Sequence, residues 1–509
     1  MDHPIKRPSF DENIKPMFRP GDVSCMHWAV DLTSYESVKT NAQKIADRLS
    51  DGSMPPDGPW PPEKIQTFRN WSLNTGFRQY PYVRLEPSAQ PRLRKSIHEI
   101  QDGSEELDLL KKAFSGLMAR DTDRDNPNSY FNLAGIHWLP GPTQQYPANN
   151  TDCRHHDNPY NPWHRAFIIA FEDALRTVEG CEEVTLPYWD ITGDELPDWM
   201  YEEPFFPYKI PFALETLNGQ PKTPAGYNIE RFDAAKIRQN IIDNQKNIGD
   251  QIAAALAAQT WVDFNGWSTN PPVHKAIIQA HDNGHNACGN TMIDQDIAAF
   301  DPIFWFFHCN WDRLFWKWQQ NVFATSSSEL EKLVEGDKSW LEDNALTILT
   351  PFDQNAQDTI DLSHWNIDYE HPPETPADQI LESAVINARG SVGAESTFSI
   401  SSLERVSIGI KNLNRLKIPG SFEILLYSGD RLIDKTFIFQ PSSPENCDTC
   451  KQKGVFHTHF DVNKSELNDQ DHLSVKIQVR NQDGDWEEVP MSNAGKPTIS
   501  VRLLLNSEG

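Results

Sequence analysis

The sequence predicts an α+β protein of several domains, in which a mainly α-helical bundle is followed by an antiparallel β-sandwich or barrel. At 509 residues the chain is longer than a single domain usually is. Between residues 91 and 371 apolar residues recur at the helical period. From about residue 391 the period changes to two, in seven short runs separated by clusters of Gly, Asn, Asp and Pro.

Changes of composition divide the chain into four parts. Residues 1–90 are polar and Pro-rich, with one helical stretch at residues 34–52, so we expect a small helical N-terminal region there. Residues 91–371 form the predicted helical domain, and residues 372–390 are a predicted linker. Residues 391–509 form the β-rich C-terminal domain.

Charge and cysteine usage exclude several classes of protein. The 46 Lys and Arg against 73 Asp and Glu give a net charge of −27, which argues against nucleic acid and anionic membrane surfaces as partners. No apolar run is long enough for a transmembrane helix, and no secretory signal is visible at the start, so we expect a cytoplasmic protein. Seven Cys in a chain of this length are not a disulfide framework. A small neutral or cationic partner fits this composition.

Two strongly amphipathic helices are predicted within residues 91–371. The first starts near Trp163, presents an apolar stripe that includes Phe167 and Phe171, and ends near Gly180. The second starts at Asp301-Pro302, an N-cap residue followed by Pro at the first helical position, and runs through FWFFHCNWDRLFWKWQQ.

Histidines collect at these helices. His281 and His285 are four residues apart, so on a helix both imidazoles can reach one metal ion. Such a pair arises by chance in roughly half of chains with this many His, so alone it indicates little. His308 lies within the second aromatic helix and completes a set of three. Three neutral imidazoles suit copper or zinc.

A second set of three His lies upstream. Two of them, His137 and His155, precede the first amphipathic helix. His164 lies at the beginning of this helix and can point into the bundle. His156 is adjacent to His155 and must point elsewhere, to a ligand-supporting position or to the surface. Two sets of three His on helices of one domain predict a dinuclear metal centre within a helical bundle.

The residues resemble the tyrosinase, catechol oxidase and haemocyanin superfamily of type 3 copper proteins. The matching stretches are His137, His155, PWHRAF (162–167), LPYWD (186–190), HDNGH (281–285) and FDPIFWFFHCNWDRLFWKW (300–318). The resemblance implies two copper ions, with His137, His155 and His164 on the first and His281, His285 and His308 on the second. It also implies dioxygen as co-substrate and the oxidation of phenols to ortho-quinones.

The same resemblance assigns roles to residues around the ligands. Cys153, two residues before His155, matches members with a Cys–His thioether; a free thiol is the alternative. Arg165, Asp301 and Arg313 match structural positions. Gln295 lies near the place of a gate residue, or is an ordinary loop residue. His274 has no assigned role, so a core or surface position is expected.

Asp282 departs from the family pattern. Members active on monophenols often carry Asn after the first ligand of the second copper, together with an upstream Glu that residues 262–280 lack. Asp282 could be a catalytic base, or it could orient a ligand histidine as a hydrogen-bond acceptor. We therefore expect ortho-diphenols or ortho-aminophenols as substrates rather than monophenols.

The C-terminal domain carries two further predictions. Cys447, Cys450, His457 and His459 lie close together in sequence and could load copper, although a hairpin with solvent-facing polar residues explains them equally well. In larger members this domain covers the copper site and keeps the enzyme latent, and we expect the same here.

Two other functions compete with a polyphenol oxidase. A haemocyanin-like oxygen carrier would use the same ligands without turnover. A zinc hydrolase built on His281 and His285 is less consistent with the sequence, because a zincin would have Glu where this chain has Asp282. The sequence does not indicate the oligomeric state.

Overall fold

The computed structural model describes residues 3–137, 152–370 and 405–504, apart from short gaps at 6, 75–77, 80, 82, 125, 217–219, 270–271, 345–346, 464–465, 468–472, 482–483, 491 and 496. The predicted linker at 372–390 and the first predicted run, TFSISSL (397–403), lie outside these residues. None of the helices within the described part combines the length and apolarity needed to cross a bilayer.

Helices dominate the first 370 residues. The described α-helices are α1 (Pro20–Met26), α2 (Tyr35–Ser50), α3 (Pro62–Arg69), α4 (Glu105–Met118), α5 (Tyr130–Gly135), α6 (Tyr160–Arg176), α7 (Ala234–Asp243), α8 (Gly249–Ala257), α9 (Trp261–Asn265), α10 (Ala276–Cys288), α11 (Asn290–Ile293), α12 (Ile303–Asn321), α13 (Ser327–Leu333) and α14 (Asp448–Gln452).

Strands form small sheets in the first part and longer ones after residue 404. The described strands are β1 (Arg92–Arg94), β2 (Lys209–Ile210), β3 (Leu214–Glu215), β4 (Pro221–Thr223), β5 (Tyr227–Asn228), β6 (Trp267–Thr269), β7 (Pro272–His274), β8 (Ile367–Tyr369), β9 (Arg405–Asn414), β10 (Phe422–Ser428), β11 (Arg431–Ile438), β12 (Val455–Asn463), β13 (Leu473–Arg480), β14 (Trp486–Val489) and β15 (Thr498–Leu504).

The N-terminal region has a hydrophobic core of its own. Residues from Phe10 to Trp71, mostly from α2, α3 and the turns before them, form one cluster of buried side chains. The predicted helical stretch at 34–52 corresponds to α2, whose N-cap Ser34 accepts a hydrogen bond from the Ser37 N–H. Arg7 joins this region to the next one through an ion pair with Asp343 at 3.2 Å.

Helices α6 and α12 lie side by side at the centre of the molecule, and aromatic rings fill the space between them. The Phe171 and Trp305 rings stack with centroids 3.5 Å apart. Asp312 joins the same helices, because its carboxylate accepts hydrogen bonds from Arg165 at 2.5 Å and from Arg94 at 3.2 Å. Both helices therefore have fixed positions relative to each other, which matters because each carries a histidine of the predicted centre.

The other two residues assigned structural roles also lie in buried ion pairs. Asp301 pairs with Arg231 and accepts the N–H of Ile303 at the start of α12. Arg313 donates to Asp190 at 2.9 Å. These contacts hold the beginning and the middle of α12 against neighbouring loops.

Two sheets follow residue 404, where the sequence predicts strands. One has the order β11-β10-β13-β14, and the other has the order β15-β9-β12-β7-β6. The second sheet incorporates the hairpin β6–β7 from the helical part, through a parallel pairing of Val273 with His457. Both sheets are open among the described strands, so a closed barrel, one of the predicted alternatives, is not what forms. The α+β class itself is confirmed.

The helical part and the C-terminal β region (residues 405–504) share one hydrophobic core. A single cluster of buried side chains runs from Leu85 to Ala494. Phe439, which follows β11, is part of this cluster and lies among residues of α10 and α12. The β region thus packs directly onto the part of the molecule that carries the histidines.

Candidate metal centre

The first three predicted ligands meet in one buried cluster. His137 lies in the turn after α5, His155 in the turn before α6, and His164 in the first turns of α6. The centroid of the His155 ring is 5.0 Å from that of His137 and 5.1 Å from that of His164. One ring nitrogen from each lies within 4.8 Å of the others, a spacing that fits a shared metal ion.

The other three predicted ligands form a second buried cluster. His281 and His285 lie one turn apart on α10, and their Nε2 atoms are 3.0 Å apart. His308 on α12 completes the set, with its ring centroid 5.1 Å from that of His281. Gly284 allows α10 to lie close to α12, because a Cβ at this position would be only 2.8 Å from the Phe307 ring on α12.

The two clusters lie against each other. The His164 and His308 rings stack with centroids 4.7 Å apart, and the His155 and His281 rings with centroids 5.4 Å apart. Ions held by the two clusters would therefore be neighbours, as a dinuclear centre requires. Two redox-active ions held there could exchange two electrons with one bound molecule.

Hydrogen bonds at Nδ1 turn several rings so that Nε2 faces the cluster. The Nδ1 atom of His164 lies 2.8 Å from the Tyr160 carbonyl oxygen, and that of His285 lies 2.8 Å from the Met292 carbonyl oxygen. A carbonyl only accepts, so each Nδ1 carries the proton and each Nε2 keeps its lone pair.

The remaining chemistry of the rings also suits copper. Neither ring nitrogen of the buried His308 has a hydrogen-bond partner within the described residues. Burial lowers the pKa of all six imidazoles, that of His137 to about 3, so the rings are neutral ligands. Three neutral imidazoles without carboxylate or thiolate ligands, as in the second cluster, are a donor set that suits copper or zinc.

Cys153 lies at the first cluster, where the predicted thioether would require it. Its Sγ atom is 3.0 Å from Nδ1 and 3.8 Å from Nε2 of His155, and the ring carbon Cε1 is bonded to both of these nitrogens. Burial raises the pKa of the Cys153 thiol well above its usual range. The thioether itself stays a prediction.

Asp282 accepts hydrogen bonds from several directions. Its carboxylate lies 2.8 Å from His156 Nε2, 3.0 Å from His274 Nε2 and 2.9 Å from His281 Nδ1. The backbone N–H of Phe439 donates to it at 3.0 Å. Burial alone would raise the pKa of Asp282, but these donors outweigh burial and hold the pKa well below its usual range. The carboxylate is therefore ionised, with three donors on Oδ2 and one on Oδ1.

Phe439 occupies the space in front of both clusters. Its ring stacks on His285 with centroids 4.0 Å apart and planes 13° apart, and it meets the His155 ring edge-on at 5.2 Å. An aromatic ring from the C-terminal β region therefore covers the two histidine clusters on this side. The sequence did not single out Phe439, because the pattern of KTFIFQ (435–440) predicts an ordinary strand.

The other predicted site residues are placed differently. Gln295 is buried, and its backbone contacts His137, so it lies at the first cluster. Cys447 and Cys450 are buried with Sγ atoms 2.6 Å apart. His457 and His459 do not join them: His457 accepts the Asn412 N–H, and His459 faces Asp461 at 3.8 Å.

Comparison with known proteins identifies the histidine-bearing part. Residues 127–321 match the family described as the common central domain of tyrosinase, and all six clustered histidines fall within that range. These residues therefore carry the central domain that tyrosinases share. The match does not extend to the N-terminal region or to the C-terminal β region.

The proteins similar to this chain include tyrosinases and a haemocyanin unit. A tyrosinase from Aspergillus oryzae is 26% identical over 345 residues, which cover 48% of this chain and 62% of that protein. The fold of a tyrosinase from Burkholderia thailandensis covers 81% of this chain and all of that one, with a TM-score of 0.57 at 18% identity. A functional unit of octopus haemocyanin covers 81% of this chain and 99% of its own, with a TM-score of 0.54 at 18% identity.

Proposed function

We propose that the protein is a copper oxidase that uses dioxygen to oxidise ortho-diphenols to ortho-quinones, and that the intact chain is latent. The observation that carries the proposal is the pair of adjacent three-histidine clusters with Phe439 stacked on His285. Two diphenols would each lose two electrons and two protons. One dioxygen would take up these four electrons and four protons and leave as two waters. Bound copper would supply the electron transfer between them.

The residues of the chain would orient the substrate. A diphenol ring can replace the Phe439 ring in its stacking contact with His285, and the planes are already nearly parallel. Phe307 and Phe304, whose rings lie 4.6 Å from His285 and 4.1 Å from His308, line the same space and keep water out. Such a site favours flat aromatic substrates over polar aliphatic ones.

Asp282 has the surroundings of an orienting residue rather than those of a base. Its Oδ2 already accepts from two imidazoles and one backbone N–H, and its Oδ1 accepts from His281, so four donors compete with a substrate proton for this carboxylate. One of these bonds fixes His281 Nδ1 as protonated, which leaves Nε2 of His281 for the metal. The absence of a free base at this position favours diphenols over monophenols.

The proposal is tested by opening the site without removing the β region. In copper-loaded protein, Phe439→Ala should raise oxygen uptake with catechol by at least about tenfold, because substrate no longer competes with a docked ring. Both parent and variant should give an oxygen-dependent near-ultraviolet absorption band. His308→Ala should abolish the band and the uptake.

The controls separate latency from loosened packing. Phe456→Ala removes a buried ring of the same region that contacts Trp267 instead of the histidines, and should leave the parent's low uptake unchanged. If both the parent and the Phe439→Ala variant give the near-ultraviolet band but neither takes up oxygen with catechol, the protein is an oxygen carrier. That outcome is the second candidate, because the octopus oxygen-carrier unit has a similar fold.

Copper uptake forms a second part of the proposal. The thiols of Cys447 and Cys450 are buried side by side and interact electrostatically with Cys153, so the three sulfurs are near one another. Thiolates bind Cu(I), and this pair could pass it to the first cluster. Cys447→Ser should slow the incorporation of Cu(I) into apo-protein by about tenfold, measured from copper content over time. Cys25→Ser, at an exposed cysteine, should leave the rate unchanged.

A further inference from the structure

His156 is in contact with the C-terminal β region on two sides. Its Nδ1 atom lies 2.6 Å from a guanidinium nitrogen of Arg415, and its carbonyl oxygen accepts a hydrogen bond from Lys453 at 2.8 Å. His156 and Arg415 are both about 1% exposed. Water therefore does not replace these contacts, and each polar atom depends on its partner in the protein.

The direction of each hydrogen bond follows from the donors available. A guanidinium can only donate, so Nδ1 of His156 accepts and its Nε2 carries the proton. That Nε2–H donates to Asp282 at 2.8 Å. Asp282 in turn accepts the Nδ1–H of His281 at 2.9 Å. The series therefore leaves Nε2 of His281 with a free lone pair, directed at His285.

The directions of these hydrogen bonds also exclude a metal ion at His156 and Asp282. His156, His274 and Asp282 place three ligand atoms within 4.8 Å, which by distance alone could hold a further metal ion. A metal on His156 Nε2 would require the proton to move to Nδ1, where the guanidinium already donates. The group is therefore a hydrogen-bond network and not a metal site.

Arg415 also holds the turn that carries Phe439. Its Nε atom donates to the Gln440 side-chain oxygen at 2.9 Å, and a second guanidinium nitrogen lies 3.5 Å from the Phe439 carbonyl oxygen. One arginine thus contacts both the residue that closes the site and the network that supports its ligands.

Building on the proposed function, we propose that Arg415 is a positioning residue of the second copper cluster, acting through His156 and Asp282 on His281. The C-terminal β region then has two opposed effects. Phe439 blocks access, whereas Arg415 supports the orientation of a ligand through His156 and Asp282. Full activation requires displacement of Phe439 while Arg415 stays in place.

Copper retention in the Phe439→Ala chain tests this proposal, because that chain has an open site and an intact network. After loading, the protein is dialysed against EDTA, and copper per chain is followed by atomic absorption. Arg415→Gln and His156→Phe should each lose one copper about 10- to 100-fold faster, as expected for loss of a group that supports a ligand. The unfolding midpoint of each apo-protein shows whether the variant still folds.

Two further variants separate the network from general packing. His156→Gln can accept from Arg415 with its amide oxygen and donate to Asp282 with its amide nitrogen, so it should retain copper longer than His156→Phe. Arg480→Gln removes another arginine of the β region, which donates to Asn290 at 2.9 Å, and should lose copper at the parental rate.

The outcomes distinguish the two proposals. A Phe439→Ala parent that binds fewer than two coppers would contradict the proposed function and this inference with it. If the parent binds two and Arg415→Gln keeps both at the parental rate, only the positioning role is wrong. Equal losses in the Arg415 and Arg480 variants would also overturn it, because the effect would then come from the interface as a whole.

Discussion

Asp282 shows how a single substitution relative to the family pattern changes its surroundings. An Asn at this position could not accept from both His156 and His281, because these donate to different oxygens of Asp282 and an amide has an oxygen in only one of the two places. The carboxylate accepts from both, and from His274 and the Phe439 N–H as well. Two histidines for which the sequence indicated no ligand role thus become partners of one acid.

Asp121 is a buried acid that is not part of the histidine clusters, and it gives the fold a dependence on pH. It accepts the Phe131 N–H and the Tyr208 hydroxyl, both at 2.8 Å. Burial raises the pKa of Asp121 from 3.8 to about 6. The folded state then holds the proton more tightly than the unfolded chain, so the contribution of Asp121 to stability is fully present below pH 4 and is lost as pH rises to 6.

We predict that Asp121→Asn removes this part of the pH dependence. In the native protein, ionisation of Asp121 between pH 4 and pH 6 should lower the free energy of unfolding by roughly 3 kcal/mol, at about 1.4 kcal/mol per pKa unit. Urea unfolding across that range measures it, and the exposed Asp108→Asn should keep the native slope. A native slope in the Asp121 variant would show that other groups cause the dependence.

At the scale of elements, the centre depends on helices α6, α10 and α12 keeping their relative positions. Each histidine cluster draws on more than one element: His164 is on α6, His281 on α10 and His308 on α12. Asp312 on α12 holds α6 through Arg165 and the strand β1 through Arg94. The geometry of the centre thus depends on a buried ion network outside it.

We predict that Asp312→Asn destabilises the protein by about 3–5 kcal/mol, because it leaves a buried arginine without its counter-charge. The urea midpoint should fall and the copper content of loaded protein should decrease with it. Glu331→Gln changes an exposed acid on α13 and serves as the matched control. An unchanged urea midpoint in the Asp312 variant would mean that Glu172 alone balances the charge of the buried arginines.

At the scale of the molecule, the C-terminal β region completes a core that the helical part begins. Its strand β12 pairs with β7, and Phe456 contacts Trp267 on β6. The shared cluster from Leu85 to Ala494 includes side chains from both parts. Removal of the β region would therefore expose apolar surface as well as the histidine clusters.

We predict that a chain ending at residue 375 is less stable than the full-length Phe439→Ala chain, although both have an open site. The shorter chain should show a lower urea midpoint and should lose copper faster, because Arg415 and the apolar contacts are absent. Its oxygen uptake with catechol should exceed that of the intact chain directly after loading and then decline. Equal stability of the two chains would contradict a structural role of the β region.

Several features of this protein followed from the sequence alone. Helical periodicity predicted α6 and α12, and the change to a period of two predicted the strands after residue 404, because these patterns are local. The spacing of the histidines and the aromatic helix around His308 indicated a resemblance to type 3 copper proteins, and residues 127–321 match the tyrosinase central domain.

Other features were decided only by the tertiary structure, because they join residues that are far apart in the chain. Phe439 reaches His285 from more than 150 residues away, and Arg415 reaches His156 from 259 residues away. His274 lies on β7, so its place beside Asp282 follows from how a strand meets α10 and not from helical spacing. Sequence patterns report the face that an element buries, whereas the partners on that face are set by long-range packing.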